Sequence, residues 1–159
     1  TFYKADEKLP AFDDYAMRGR CYRYFDGQPL YPFGHGLSYT RFTYSDLELD
    51  SSEGSSAQAV QVTVKIRNTG DRAGEEVVQL YLKPKQAERE RSRKDLRGFQ
   101  RVALKPGEER TLTFSFTPEK DLRTYDEATG KYVVDPGAYE IQVGASSADI
   151  RVSKVFTVK

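Results

Sequence analysis

A chain of 159 residues with a net charge of +1 at pH 7 has no global field to steer it toward nucleic acid or an anionic membrane. Its 38% hydrophobic and 31% charged composition, with eleven Tyr and nine Phe but no Trp, is too aromatic for disorder and suits a β-rich globular protein. The length has room for one domain and an appendage, and a domain near this size buries roughly 70% of its unfolded surface.

Residues 1–26 hold seven aromatic side chains among charges, with Pro10 in the middle and neither a helical nor a strand period. This reads as an extended arm lying along another surface, because a free tail of this composition exposes too much apolar area. The other reading folds the arm back on its own β-domain. Cys21 is alone, so no internal disulfide forms and the redox compartment stays undetermined. No apolar run approaches the roughly 20 residues that span a bilayer, and Thr1 opens without Met or a signal-peptide pattern, which suggests a processed chain or an excised piece.

Residues 27–40 read GQPLYPFGHGLSYT. Pro29 and Pro32 fix φ and bias the residues before them toward extended backbone, while Gly34 and Gly36 allow conformations other residues avoid. The segment predicts an extended, turning crossing that buries Leu30, Tyr31, Phe33, Leu37 and Tyr39.

From Arg41 onward short strands alternate with turn chemistry. Phe42 and Tyr44 share one face but Leu47 and Leu49 have the other parity, which predicts a bulge near Ser45 and Asp46. Residues 51–56 read as a polar loop. Val60, Val62, Val64 and Ile66 alternate with polar residues in the cleanest half-buried strand. After the turn at 68–74, Val78, Leu80 and Leu82 form a third strand with Val77 and Tyr81 on its second face. The charge run at 84–94 reads as a solvated loop. In the strand at 96–104, Gly98 marks a close approach or a bulge. Leu112, Phe114 and Phe116 alternate next, and residues 118–122 predict one helical turn with Pro118 at its start.

Residues 123–134 predict a hairpin bending at Thr129 and Gly130. Tyr139, Ile141 and Val143 alternate in the following strand. Ile150 and Val152, then Val155, Phe156 and Val158, suggest a last strand with a bulge near Ser153 and Lys154. About seven strands and no helix of three turns make an all-β chain, an immunoglobulin-like sandwich of two antiparallel sheets with an N-terminal arm. Its core is expected at Val64, Leu80, Phe114, Ile141 and Val152.

Chemistry-bearing constellations are sparse. His35, the only histidine, sits between two glycines and reads as a hydrogen-bonded turn residue; Ser38 lacks a nucleophile-elbow pattern. Cys21 has no second thiol and no neighbouring His, so no metal site is expected. The carboxylate pairs at Asp13 and Asp14, Glu75 and Glu76, and Asp126 and Glu127 read as surface charge. No phosphate loop or dinucleotide fingerprint is present, and no cofactor is expected. Exposed tyrosines could stack on sugars, a reading weakened by the absence of Trp.

The stretch RCYRYFDGQPLYPFGHGLSYTRF at 20–42 resembles the link into the fibronectin type III-like C-terminal domain of family-3 glycoside hydrolases, the β-glucosidases and β-xylosidases. So do VVQLYL at 77–82, KDLRGFQRVALKPGE at 94–108, residues 121–151 and the terminal VFTV. The resemblance implies an arm at 1–38 and a fibronectin type III-like sandwich at 39–159. It implies a retaining parent whose Asp nucleophile and Glu acid/base lie outside this chain, and no catalytic residue is carried over. The expected partner is the parent's catalytic part, met by Tyr22, Tyr24, Phe25, Tyr31, Phe33 and His35. An independent carbohydrate- or protein-binding module is the alternative. The resemblance favours a periplasmic or secreted parent, and oligomerisation is not readable. The run at 84–94 departs from the shorter, proline-bearing loop of the family.

Overall fold

The computed structural model describes residues 1–86 and 91–159. Residues 87–90, part of the run expected as a solvated loop, lie outside the described residues. After one helical turn, α1 (Cys21–Tyr24), the chain extends wherever its sequence alternates. The strands are β1 (Phe42–Leu49), β2 (Glu53–Gly54), β3 (Val60–Asn68), β4 (Gly74–Pro84), β5 (Asp95–Leu104) and β6 (Glu109–Phe116). The turn α2 (Pro118–Asp121) precedes β7 (Thr124–Asp126), β8 (Lys131–Val133), β9 (Gly137–Gly144) and β10 (Ile150–Val158).

Two sheets face each other, one in the order β1-β3-β6 and the other β2-β10-β9-β4-β5, with β7 and β8 a separate hairpin. Seven long strands carry the layers and all their pairings are antiparallel; only the short β2, hidden in the expected polar loop, pairs parallel with β10. Val60, Val62, Val64 and Ile66 are fully buried with Leu80, Ile141 and Val143 in one core, and Phe116 meets Phe156 edge-on across the layers at 5.5 Å. The expected core residues lie there, Val152 at its partly buried margin.

The first bulge falls where parity demanded it: register shifts between Ser45 and Glu48, Asp46 adopts φ 49°, and Leu47 turns into the core. A second shift pairs Leu80 with Gly98 but Tyr81 with Leu96, and a Cβ on Gly98 would sit 3.0 Å from the Phe114 ring. In β10 the expected bulge at Ser153 and Lys154 is absent. The register shifts between Ile150 and Val152 instead, and Val155 points outward while Phe156 and Val158 share the core face. The helical turn and hairpin form where predicted, Gly130 (φ 67°) closing the bend while Thr129 Oγ1 donates to Asp126 Oδ2 at 2.7 Å.

The charge run is not wholly solvated. The Arg91 side chain is 6% exposed, its guanidinium donating to Leu122 O (3.0 Å) and Tyr139 OH (3.3 Å), lying over the Tyr139 ring and facing Asp135 Oδ2 at 3.5 Å. Ser92 beside it is also buried. A charged side chain goes inside when acceptors, a carboxylate and a ring are all provided, which composition alone does not reveal.

Candidate interdomain docking site

The arm begins beside the crossing segment. Phe2 N–H donates to Tyr31 O and Leu30 N–H to Phe2 O, both at 2.8 Å, and the Phe2 and Tyr31 rings meet edge-on at 6.3 Å. Tyr3 OH accepts the Cys21 N–H at 2.6 Å, and the Tyr3 ring stands edge-on to Phe25 at 4.9 Å. Cys21 itself is a half-buried free thiol.

Part of this segment closes on its own sandwich. Tyr22 stacks on Phe33 with ring centres 4.4 Å apart, stands edge-on to the fully buried Tyr81 of β4, and accepts the Leu96 N–H at 3.1 Å. Burial of this hydroxyl raises the Tyr22 pKa. Asp95, at the start of β5, takes Arg23 Nε at 2.5 Å, Ser92 Oγ at 2.8 Å and Arg97 at 3.2 Å. Arg93 completes the clamp: its N–H donates to Arg23 O and its guanidinium to Phe25 O, both at 2.8 Å, and it pairs with Asp26. Tyr24 is half-buried under the Arg23 guanidinium.

The crossing is pinned at two points. At the first, Ser147 N–H donates to Phe33 O at 2.9 Å, and the buried Gln79 of β4 donates to Gly34 O (3.2 Å) and Ala145 O (2.6 Å) while accepting the Tyr81 hydroxyl at 2.5 Å. Gly34 has φ 80°, and a Cβ there would lie 2.1 Å from Gln79 Oε1, so position and conformation both call for glycine. At the second, Thr40 Oγ1 donates to Asn68 Oδ1 at 2.7 Å and Thr69 N–H to Arg41 O at 2.8 Å. Asn68 is fully buried, its amide also donating to Arg72 O and Leu104 O at 2.7 and 3.0 Å.

Between these pins the chain stands away from the sandwich. Leu37 is 94% and Tyr39 93% exposed, and farther up the arm Phe12 and Tyr15 reach 99% and 91%. Beneath lies an open groove of about 840 Å³ between residues 33–44 and the outer face of β4 and β5, where Val77 and Phe99 are exposed. At its end Tyr44 OH donates to Glu76 at 2.7 Å. Burial raises the Glu76 carboxyl above the usual range, and burial with the neighbouring Glu76 charge raises Tyr44. On the other side, burial and then Lys83 lower the pKa of Lys94, whose ammonium donates to Ser147 O at 2.7 Å over the Tyr81 ring.

The six residues expected to dock therefore divide. Tyr22 and Phe33 are committed to this chain's own sheet, Tyr24 and Phe25 are half-buried within the arm, and Tyr31 and His35 lie at the surface with ring centres 5.2 Å apart. Of the five large side chains of the crossing, this chain itself covers Phe33 and leaves Leu30, Tyr31, Leu37 and Tyr39 exposed, the pins at Gly34 and Thr40 holding residues 35–39 outward. Sequence reading missed Gln79, Asn68 and Asp95; the first two had a signal as polar side chains on otherwise apolar strand faces, Asp95 none. Among the described residues no group of three His, Cys, Asp or Glu assembles to hold a metal.

Comparison with known proteins places this geometry. Residues 76–147 match the family model described as a fibronectin type III-like domain. The chain is 43% identical over 132 residues to thermostable β-glucosidase B of Acetivibrio thermocellus, covering 81% of this chain and 17% of that protein. It is 41% identical over 155 residues to a xylan 1,4-β-xylosidase of Xylanibacter ruminicola, covering 98% and 17%. Among solved structures it resembles the family-3 β-glucosidase of Bifidobacterium adolescentis with a TM-score of 0.77 and 34% identity, over 86% of this chain and 20% of that one. β-Glucosidase 3B of Thermotoga neapolitana gives 0.76 and 37%, over 86% and 18%. The chain thus spans about a sixth of the length of the relatives it matches. Seven-stranded sandwich, preceding segment and matched relatives agree: the chain belongs to the fibronectin type III-like domains of family-3 glycoside hydrolases.

Proposed function

We propose that this chain is an accessory domain that stabilises a parent enzyme hydrolysing terminal β-D-glucosyl or β-D-xylosyl residues with retention of configuration. In this reading residues 1–38 form a docking arm and 39–159 the sandwich. The parent's nucleophile and acid/base lie outside the chain, and Tyr31 and His35 face the catalytic part while Tyr22, Tyr24, Phe25 and Phe33 shape the arm that meets it. The carrying observation is the uncovered apolar surface of the arm and crossing, with Phe12, Tyr15, Leu37 and Tyr39 over nine-tenths exposed. A soluble surface keeps such side chains scattered unless a partner covers them.

Two measurements test it. Residues 1–159 expressed alone are expected to give no turnover of aryl β-glycosides; activity that survives purification and disappears on replacing a carboxylate of this chain refutes the reading. In the parent, deleting residues 39–159 is expected to lower the thermal midpoint, and an unchanged midpoint refutes a stabilising role. A second reading, an independent carbohydrate-binding module, draws on the exposed Tyr125 and Tyr132 of the hairpin. Those rings meet edge-on at 5.4 Å and Arg123 covers Tyr132 at 4.7 Å, which leaves little free ring face for a sugar. Calorimetry with cello- and xylo-oligosaccharides is expected to show no saturable heat.

A further inference from the structure

We propose that the groove between residues 33–44 and the outer face of β4 and β5 seats an apolar polypeptide segment from the catalytic part of the parent, with Leu37, Tyr39, Val77 and Phe99 at the contact. This rests on the docking reading above and adds where the contact is made and what kind of surface makes it.

Apolar exposure is localised on this molecule. Of fourteen large hydrophobic side chains exposed among the described residues, nine lie within residues 1–40, and two more, Val77 and Phe99, line the same groove as Leu37. Scattered exposed hydrophobics need no explanation, whereas a contiguous patch marks a contact surface. The crossing cannot close the groove itself. Its ends are fixed at Gly34 by Gln79 and at Thr40 by Asn68, so Leu37 is held in the lining and Tyr39, two residues on, is held exposed.

The polar lining of the groove identifies the occupant's chemistry. Gln79 spends both ends of its amide on Gly34, Ala145 and Tyr81; Glu76 accepts the Tyr44 hydroxyl; Glu75 pairs with Arg101; Asp149 takes Arg151 through two bonds, at 2.5 and 2.8 Å. A sugar needs unspent donors and acceptors around an aromatic face, and these four side chains are already engaged within the chain. Apolar side chains need none and gain by displacing water from Leu37, Val77 and Phe99. The source of such a segment is the five-sixths of the matched relatives' length that this chain does not span.

The test is hydroxyl-radical footprinting of the full-length parent, reading side-chain oxidation by mass spectrometry and comparing each residue with itself in urea-unfolded protein. Leu37, Tyr39 and Phe99 are expected to lose oxidation in the native parent. If Phe12 and Tyr15 are protected while Leu37 and Phe99 react as in the unfolded chain, docking stands and the groove assignment falls. If all five react freely, the docking reading fails and takes the groove with it. Protection that rises with protein concentration identifies a second copy as occupant, and protection that appears only with added cellobiose or xylobiose identifies a sugar; either overturns the proposal.

Discussion

Gln79 ties the crossing to the sandwich, and replacing it with Leu isolates that tie. The variant keeps a side chain of similar bulk but loses three hydrogen bonds: from Nε2 to Ala145 O at 2.6 Å and Gly34 O at 3.2 Å, and from the Tyr81 hydroxyl to Oε1 at 2.5 Å. The three groups do not lose equally. Tyr81 is fully buried, so its stranded hydroxyl costs about 2 kcal/mol. Gly34 is exposed and Ala145 half-buried, so water reaches their carbonyls and the pair adds only about 1 kcal/mol. The extra apolar burial of Leu offsets about 1 kcal/mol. The net loss is about 2 kcal/mol, which at a urea slope of about 2 kcal/mol per molar moves the unfolding midpoint of residues 1–159 down by about 1 M. Near-UV circular dichroism, which reports the tyrosines, follows the transition. Adding Tyr81→Phe to Gln79→Leu removes the stranded hydroxyl and is expected to recover part of the loss. A double variant no more stable than the single, or a single-variant shift below about 0.3 M, refutes the reasoning.

Other outcomes follow from the same geometry. Gly34→Ala forces a Cβ into a left-handed residue and against Gln79, so it is expected to cost about 2 kcal/mol in urea unfolding, whereas Gly36→Ala, with open space around it, stays within about 0.5 kcal/mol. Burial raises the folded-state pKa of Glu76, so its stabilising contribution is complete below the ordinary glutamate pKa and is lost as pH rises through the raised value. Glu76→Gln is therefore expected to gain stability relative to wild type across that rise, and a difference that stays constant between about pH 4 and 7 contradicts the assignment. Asp95→Ala releases Arg23 and Ser92, a partly exposed ion pair and hydrogen bond together worth about 1 kcal/mol, so trypsin is expected to cut the arm near Arg20 and Arg23 about fivefold faster. Unchanged cleavage shows that the clamp does not hold the arm.

The two layers of this protein are written in its local patterns. Strict alternation at Val60 to Ile66 and at Leu112 to Phe116 can be satisfied only by burying one face, and the parity break between Tyr44 and Leu47 could be mended only by a bulge. Thr129 and Gly130, and Pro118 with Glu119 and Asp121, announced their turns because conformation there depends on a few neighbouring residues. In β10 parity misled: Val152, Phe156 and Val158 already share one face with no break at Ser153 and Lys154, and the shift comes at Arg151 instead, where Ile150 and Val152 pair with the adjacent Gly144 and Val143.

The site was legible only in outline. Composition and proline spacing marked residues 27–40 as an extended, ring-bearing crossing, but not which rings it keeps and which it presents. That division depends on Gln79, Asn68, Asp95 and Arg93, tens of residues away, whose hydrogen bonds pin the crossing at Gly34 and Thr40 and the arm at Arg23. Periodicity reports the burial a segment seeks. Which partner supplies it is a long-range matter of geometry, so Tyr22 and Phe33 close on the sheet while Leu37 and Tyr39 stand clear of it.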